Sequence, residues 1–397
     1  MHEPSGLSTP HAAGGSSGIN QPSEMSRLPS NLVSVVVPTK NRFALLQETI
    51  SSVQAQSHHN WEAIVVDDGS TDESAGWIQG LAERDERIKW VPRPPARPTG
   101  GSSCRNIGLQ HAQGEFVVFL DSDDVLSASC LEQRVAHMSQ NPHLDFMVFQ
   151  AELFKEKPGD SGFIFNVVDA RSAIDRLLYL DYPWQTSGPI WRRESVQRIG
   201  GWDEALPSWQ DWELHIRAVC RGLAFVELKI CDFWYRVNPL DKKKTSAEQQ
   251  RDPKHLNAAL SLFAKVLDEL RQTGENTLVR QRALTGLAFE IALKWKSHHG
   301  VISALVAWHR AFAERLTDLK HYAAGMAILI GLRLPVIRPF FHSWVLPRFK
   351  RRIGLGRDEN TFGTIRFADS GYIWASASQG PPPDTGARFP SRLTRAS

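Results

Sequence analysis

Three apolar, β-branched stretches each run straight into a polar cluster. Residues 33–37 (VSVVV) lead into Pro38-Thr39-Lys40-Asn41-Arg42, residues 62–66 (EAIVV) into Asp67-Asp68-Gly69-Ser70, and residues 116–120 (FVVFL) into Asp121-Ser122-Asp123-Asp124. Short continuous apolar runs of this kind read as strands buried on both faces. Helical spacing over 43–56 and 72–84, a short strand at 88–91 and a helix from Ser102 or Ser103 to His111 fill the intervals. The 93–101 loop (RPPARPTGG) is too rich in Pro and Gly to be regular. Strands alternating with helices predict an α/β domain built on a mostly parallel sheet with helices on both faces. In such sheets ligands bind at the carboxyl ends of the strands, where all three polar clusters fall.

The chain is 397 residues long, enough for two or three folded units, and 42% of it is hydrophobic. Lys plus Arg number 46 against 43 Asp plus Glu, which argues against a nucleic-acid partner because such binding needs a clear excess of cations. Four cysteines (104, 130, 220 and 231) form neither a C-x-x-C knuckle nor a disulfide framework, and reduced thiols are expected. Residues 1–30 read as a disordered leader without the apolar stretch of a secretory signal. An α/β domain is expected over 31–250, an appended helical region over 251–353 and a flexible tail over 354–397. The longest apolar run, 323–332, is far below the ~18 to 20 residues that span a bilayer.

Asp121 and Asp123 are two apart, so on an extended strand end they project to one side and can approach one cation. Carboxylates with open positions suit Mg²⁺ or Mn²⁺, whose shell is completed by substrate phosphate, and the implied ligand is a diphosphate. No G-x-G-x-x-G follows the first strand and no G-K-[ST] step occurs, which excludes the usual dinucleotide fingerprint and the P-loop.

Taken in order, SVVVPTKNR, EAIVVDDGSTD, Arg105-Asn106-Ile107-Gly108 and GEFVVFLDSDD resemble the motifs of family 2 glycosyltransferases, which have the GT-A fold. The resemblance spans about 34–238. It implies a nucleotide pocket drawn from Pro38, Thr39, Asn41, Asp67, Asp68, Arg105 and Asp121, with Asp68 facing a base that is usually uracil. It also implies a metal on Asp123 and Asp121. The segment from Gly200 to Glu213 resembles the family's acceptor segment, which makes Asp211 the general base. Two departures stand out: Gln210 replaces an acidic neighbour of Asp211, and Asn238 replaces a histidine in Tyr235-Arg236-Val237-Asn238. Arg236 or Lys242-Lys243-Lys244 would then supply the missing positive charge. From pattern alone, Ser208-x-x-Asp211 also fits a helix capping box. Five of the 13 tryptophans lie between 184 and 212, and Trp202, Trp209 and Trp212 are candidates for an acceptor-binding wall, the competing reading being core.

The reading that follows is an inverting transfer from a nucleotide diphosphate sugar, UDP-linked by resemblance, to an acceptor hydroxyl in cell-surface glycan or glycolipid synthesis. The acceptor is then a glycan or a lipid-linked glycan. The alternative is a non-catalytic nucleotide-sugar or glycan-binding protein of the same fold. A nucleotidyltransferase is disfavoured because no glycine follows the first strand. No Arg-Trp step exists for a Q-x-x-R-W signature, so addition of single sugars is expected. The expected location is cytoplasmic or peripheral at the inner membrane face. Residues 319–357 contain eight cations and no acid, so this segment either meets an anionic membrane or packs as a basic face on the catalytic domain.

Overall fold

Strand β1 (Val33–Thr39) is buried along nearly its whole length because successive valines enter different cores. Val33, Val35 and Val37 join side chains of α1 (Phe43–Gln54), α2 (Ser74–Ala82) and α4 (Cys130–Gln140) on one face. Val36 meets α3 (Gly101–His111), α6 (Arg193–Arg198) and α7 (Gln210–Cys220) on the other. This period-two division is what a central strand with both faces covered requires. The structure is a computed structural model that describes residues 31–165, 168, 170–237, 251–353, 364–367 and 373–376.

The remaining strands are β2 (Trp61–Asp67), β3 (Ile88–Pro92), β4 (Phe116–Phe119), β5 (Val125–Leu126), β6 (Phe146–Phe154), β7 (Pro189–Arg192) and β8 (Phe225–Arg236). They form one eight-stranded sheet in the order β3-β2-β1-β4-β7-β6-β8-β5. Pairing is parallel from β3 through β4 and again between β6 and β8. Strand β7 is antiparallel to both neighbours, as is β5 to β8. The sheet is therefore parallel where the three polar clusters lie and mixed beyond. Register carries β1 two residues past the expected end, with Pro38 opposite Val66 and Thr39 opposite Asp67. Helix α3 sits close on β1 because residue 108 is glycine: a Cβ there would fall 2.2 Å from a Val36 methyl.

Beyond the sheet, α8 (Pro253–Gln272) and α9 (Leu278–Ala313) are capped by Asp252 and Thr277, and α10 (Leu319–Gly331) by Asp318. Helix α9 is two helices joined at Gly300, whose φ of 86° lies in the left-handed region, so the expected separate stretches on either side of that glycine are retained. The helical region shares a core with the α/β part of the chain. Leu260, Phe263 and Leu267 of α8 pack with Ile174 and Leu177 of α5 (Ala173–Leu178) and with Trp212 and Ile216 of α7. Each fully buried side chain of this size contributes roughly 2 kcal/mol. Ion pairs from Lys265 to Asp203 (2.7 Å), Arg221 to Glu269 (2.6 Å) and Arg280 to Asp175 (2.7 Å) rim that contact. All four cysteines are free, and only Cys231 is exposed. The leader, Asn238, Lys242-Lys243-Lys244 and most of the tail lie outside the described residues, apart from an antiparallel pair of strands, Thr364–Phe367 and Ile373–Ser376.

Candidate active site

Where β1 and β2 end, the backbone turns are held by side chains. Asp67 accepts from the Ser70 amide (3.1 Å), an Asx turn that starts the loop after β2. Asn41, at φ 52°, donates its amide to Ser70 Oγ (2.9 Å), and its Oδ1 accepts from the Thr71 amide (2.7 Å). Asn41 thus ties the loop after β1 to the loop after β2, while Asp67 closes the turn of its own loop. Asp68 is buried and accepts from Arg93 Nε, from Lys40 Nζ (3.3 Å) and from the Gly100 amide (3.1 Å). The two segments that bond Asp68, the end of β1 and the start of α3, carry buried hydroxyls without a hydrogen-bond partner: Thr39 Oγ1, Ser102 Oγ and Ser103 Oγ. Neither serine caps α3, whose N-cap is Gly100. Buried donors that the protein leaves unmatched are what a polar ligand would satisfy.

At the end of β4, Arg105 Nη2 donates to Asp121 Oδ1 (2.5 Å), and Arg42 pairs with Asp123 Oδ2 (2.5 Å). Burial raises the Asp123 carboxyl pKa, nearby Asp121 raises it further, and Arg42 opposes both. Asp124, wholly buried, turns away from this pair. It accepts from Ser187 Oγ (2.6 Å) and the Arg236 amide (3.2 Å), while burial and then Asp123 drive its pKa well up. Ser187 also accepts from the Asp121 amide (3.2 Å), and its carbonyl is held by Arg134 (3.0 Å). Arg134 in turn makes a two-pronged pair with Asp232 (2.7 and 2.8 Å), both fully buried. A buttress of four residues therefore sets the pose of the Asp121–Asp124 turn.

Asp121 and Asp123 fit a divalent ion. They offer two carboxylates on one strand end with like-charge strain, and Mg²⁺ ordinarily takes one or two protein carboxylates beside substrate phosphate. Among the described residues no cluster of three or more His, Cys, Asp or Glu side chains is arranged to hold a metal, so these two carboxylates would be the protein's share.

Asp211 occupies the second position of α7. Burial raises its pKa, the Trp212 amide (2.9 Å) and Arg105 lower it, and Asp121 raises it again, so the strand end and the helix start feel one another. Tyr182 lies beside it, its hydroxyl driven well up by burial and then by the Asp211 charge. The capping box does not form. The N-cap is Trp209 with no side-chain bond, and Ser208 Oγ is buried without a partner. Trp209 adopts φ 65°, a conformation costing a bulky residue on the order of 1–3 kcal/mol. Packing at 5.5 Å on both Trp212 and Phe263 holds it there.

The tryptophan wall is corrected by burial. Trp212 is fully enclosed, donates to the Leu177 carbonyl (2.7 Å) and belongs to the core. Trp202 is 3% exposed and lies beneath Arg105, 4.5 Å from guanidinium to ring centroid. Only Trp209 is partly exposed. Arg236 is corrected too. Its guanidinium is enclosed and spent on the Asp123 and Lys155 carbonyls and on Glu48, so it braces the turn and is not free to meet a phosphate. Pro38, partly buried, stands beside Thr39 at the β1 end.

Arg42, Arg93, Tyr182 and Glu204 went unnoticed in the sequence. Glu204 accepts from Arg97 and from Asn106 Nδ2 (2.8 Å), joining the 93–100 loop to the segment before α7. For Arg42 and Arg93 the available signal was position, since each lies in the loop directly after a strand of the parallel part of the sheet.

An α/β sheet with acidic strand ends and a carboxylate presented by a neighbouring helix defines a GT-A domain with a helical region appended. Residues 34–197, a little over two fifths of the chain, match the model of the family described as Glycosyl transferase family 2. An uncharacterized glycosyltransferase of Haemophilus influenzae is 40% identical over 110 residues, 28% of this chain and 43% of that protein. The Escherichia coli protein named UDP-Glc:alpha-D-GlcNAc-diphosphoundecaprenol beta-1,3-glucosyltransferase WfgD is 37% identical over 122 residues, 31% of this chain and 46% of that one. The chain thus spans less than half the length of either relative. The crystal structure of S. aureus TarS 1-349 in complex with UDP-GlcNAc covers 88% of this chain and 98% of its own, at a TM-score of 0.52 and 17% identity, which is a likeness of fold.

Proposed function

We propose that the chain is an inverting glycosyltransferase that moves a sugar from a nucleotide diphosphate sugar, UDP-linked, to an acceptor hydroxyl on a lipid-linked glycan. The observation that carries this reading is the electrostatic triangle of Asp121, Arg105 and Asp211, which couples the strand end to the helix start. Donor class and acceptor class are supported by the printed name of the Escherichia coli relative, in which both appear.

In this reading Asp68 and the unmatched hydroxyls around it face the nucleoside. Arg105 and Arg42 stand where negative charge grows on the departing diphosphate. Asp211 accepts the proton of the acceptor hydroxyl, whose oxygen bonds to the anomeric carbon as the bond from that carbon to the diphosphate oxygen breaks. A raised carboxyl pKa makes Asp211 a better base than an exposed aspartate. Asp121 and Asp123 would hold Mg²⁺ or Mn²⁺, which when bound supplies Lewis-acid neutralisation of the diphosphate. Trp209 borders the acceptor side. Placement at the cytoplasmic membrane face, through residues 319–357, belongs to the same proposal.

The test is a transfer assay over a panel of nucleotide sugars with undecaprenyl-diphosphate-linked acceptors, reading the anomeric configuration of the product by NMR. Inverted product with a UDP sugar is expected. Retention of configuration, or donor binding with neither transfer nor hydrolysis, would overturn the reading, the latter in favour of a binding protein.

A further inference from the structure

Residues 333–340 (RLPVIRPF) are exposed in unbroken succession. Val336 is 92% exposed, Phe340 and Trp344 are 58%, and Leu334 and Ile330 are 47%. Across the break in α9, Ile302 and Val306 are exposed by 69% and 64%. Of the twelve large hydrophobic side chains exposed among the described residues, nine fall between 302 and 344, so the apolar exposure is concentrated at one end of the chain. Surface apolar side chains scattered singly need no explanation, whereas a cluster does.

The two stretches meet at a cavity of about 380 Å³ lined by Lys296, His299, Gly300, Ile302, Leu332 and Arg333 among others. Arg338 is near enough to oppose the charge of Lys296, after burial, so a further cation stands at its edge. Arg348 stacks on Trp344 at 4.6 Å. From Leu319 to Ile353 there is no Asp or Glu to offset these charges. One lysine of the segment, Lys350, is paired with Glu290 (2.5 Å) and so belongs to the packing side.

We infer that this end docks on a lipid bilayer carrying anionic phospholipid, with Val336, Phe340 and Trp344 in the interfacial layer and the Lys296–Arg333 cavity receiving a headgroup phosphate. Charge complementarity selects the occupant. A second copy applied to the same face would set these cations against their own equivalents. Nucleic acid would leave Leu334 and Val336 in water. An anionic membrane surface satisfies both halves, since cations gain from its potential and aromatic and aliphatic tips gain from the acyl boundary. No helix of the described residues is long and apolar enough to cross a membrane, so the contact lies in the surface plane. The inference rests on the membrane placement proposed above and not on the transfer reaction.

The test is flotation of the full chain with vesicles of phosphatidylcholine alone and of phosphatidylcholine with phosphatidylglycerol, for the wild type, V336S/F340S/W344S, R333E/R338E and D211N. Flotation is expected only with phosphatidylglycerol, and each surface variant should bind at least roughly tenfold more weakly. D211N should float like the wild type, and transfer to a water-soluble acceptor should be equal in the wild type and both surface variants, which separates docking from catalysis. Equal flotation on both vesicles, or flotation untouched by both surface variants, overturns the inference. So does a concentration-dependent dimer abolished by V336S/F340S/W344S, which would give the face to a second copy. The side chains replaced in the two surface variants are all exposed, and matching melting curves check the fold.

Discussion

Arg105 spans two neighbours at once, donating to Asp121 Oδ1 at 2.5 Å while its guanidinium lies on the face of Trp202 at 4.5 Å. A flat cation that both forks and stacks has no lysine equivalent. The room for it comes from Gly101, where a Cβ would fall 2.7 Å from Arg105 Nη1. R105K is expected to lower kcat/KM by roughly 30-fold or more, equivalent to about 2 kcal/mol of lost charge-assisted contact. Steady-state kinetics check this, and wild-type kinetics in R105K would remove Arg105 from the site.

Asp211 acts as a base only when ionised, and burial lifts its pKa, so activity should fall as pH drops through a value above the ordinary carboxylate range. Arg105 opposes that lift. R105Q should therefore move the acid limb of the kcat/KM profile to higher pH, whereas R105K should leave it in place. D211N should lower kcat by about 10² to 10⁴ with donor affinity kept, measured by calorimetric titration of the nucleotide sugar. An acid limb that survives in D211N would belong to another group.

The three strand ends and the polar clusters that follow them were legible because each is a local signal: a β-branched run followed by polar residues. What escaped was what each side chain meets across the fold. Asn41 and Asp67 have the residue types of a ligand shell, yet Asn41 ties one loop to another and Asp67 closes its own turn. Trp212 and Arg236 look like substrate contacts in one dimension and are enclosed in three, because the partners that enclose them, Leu177 and Glu48, are far away in sequence. The mixed half of the sheet was hidden for the same reason, since β7 inserts between β6 and the much earlier strand β4 and runs antiparallel to both.

Chelation tests the two strand-end carboxylates. With EDTA present, transfer by the wild type should fall to background and return with Mn²⁺ or Mg²⁺. D123N should raise the metal concentration needed for half-maximal rate by roughly tenfold or more, as expected when one of two carboxylates is lost. Identical metal titrations for wild type and D123N would exclude Asp123 as a ligand.

His215 lies against Trp184 and Trp191 with ring centroids at 5.3 and 6.3 Å, and burial pushes its pKa down to about 3, with nearby Arg105 adding to the effect. The folded state thus refuses a proton that the unfolded chain takes up near pH 6.5, so stability from this group is complete above that pH and is lost progressively as pH falls toward about 3. Near pH 5 the loss from this one residue is about 2 kcal/mol. H215F should flatten the acid side of the stability curve, read as urea midpoints across pH. A wild-type slope retained in H215F would show that other groups carry the acid sensitivity.

Arg134 and Asp232 are both fully buried and doubly bonded, and Arg134 also holds the Ser187 carbonyl behind the Asp121–Asp124 turn. Removing one partner leaves a charge without a counterpart in the interior, which costs about 3–5 kcal/mol, whereas replacing both with apolar side chains is often far milder. R134M alone should therefore unfold well before the wild type, and R134M/D232L should regain much of that loss. The double variant should nevertheless stay catalytically weak, because the Ser187 support of Asp121 and Asp124 is missing in both. Urea denaturation paired with transfer rates separates the two effects. Full activity in a stable R134M/D232L protein would mean that the buttress serves the fold alone.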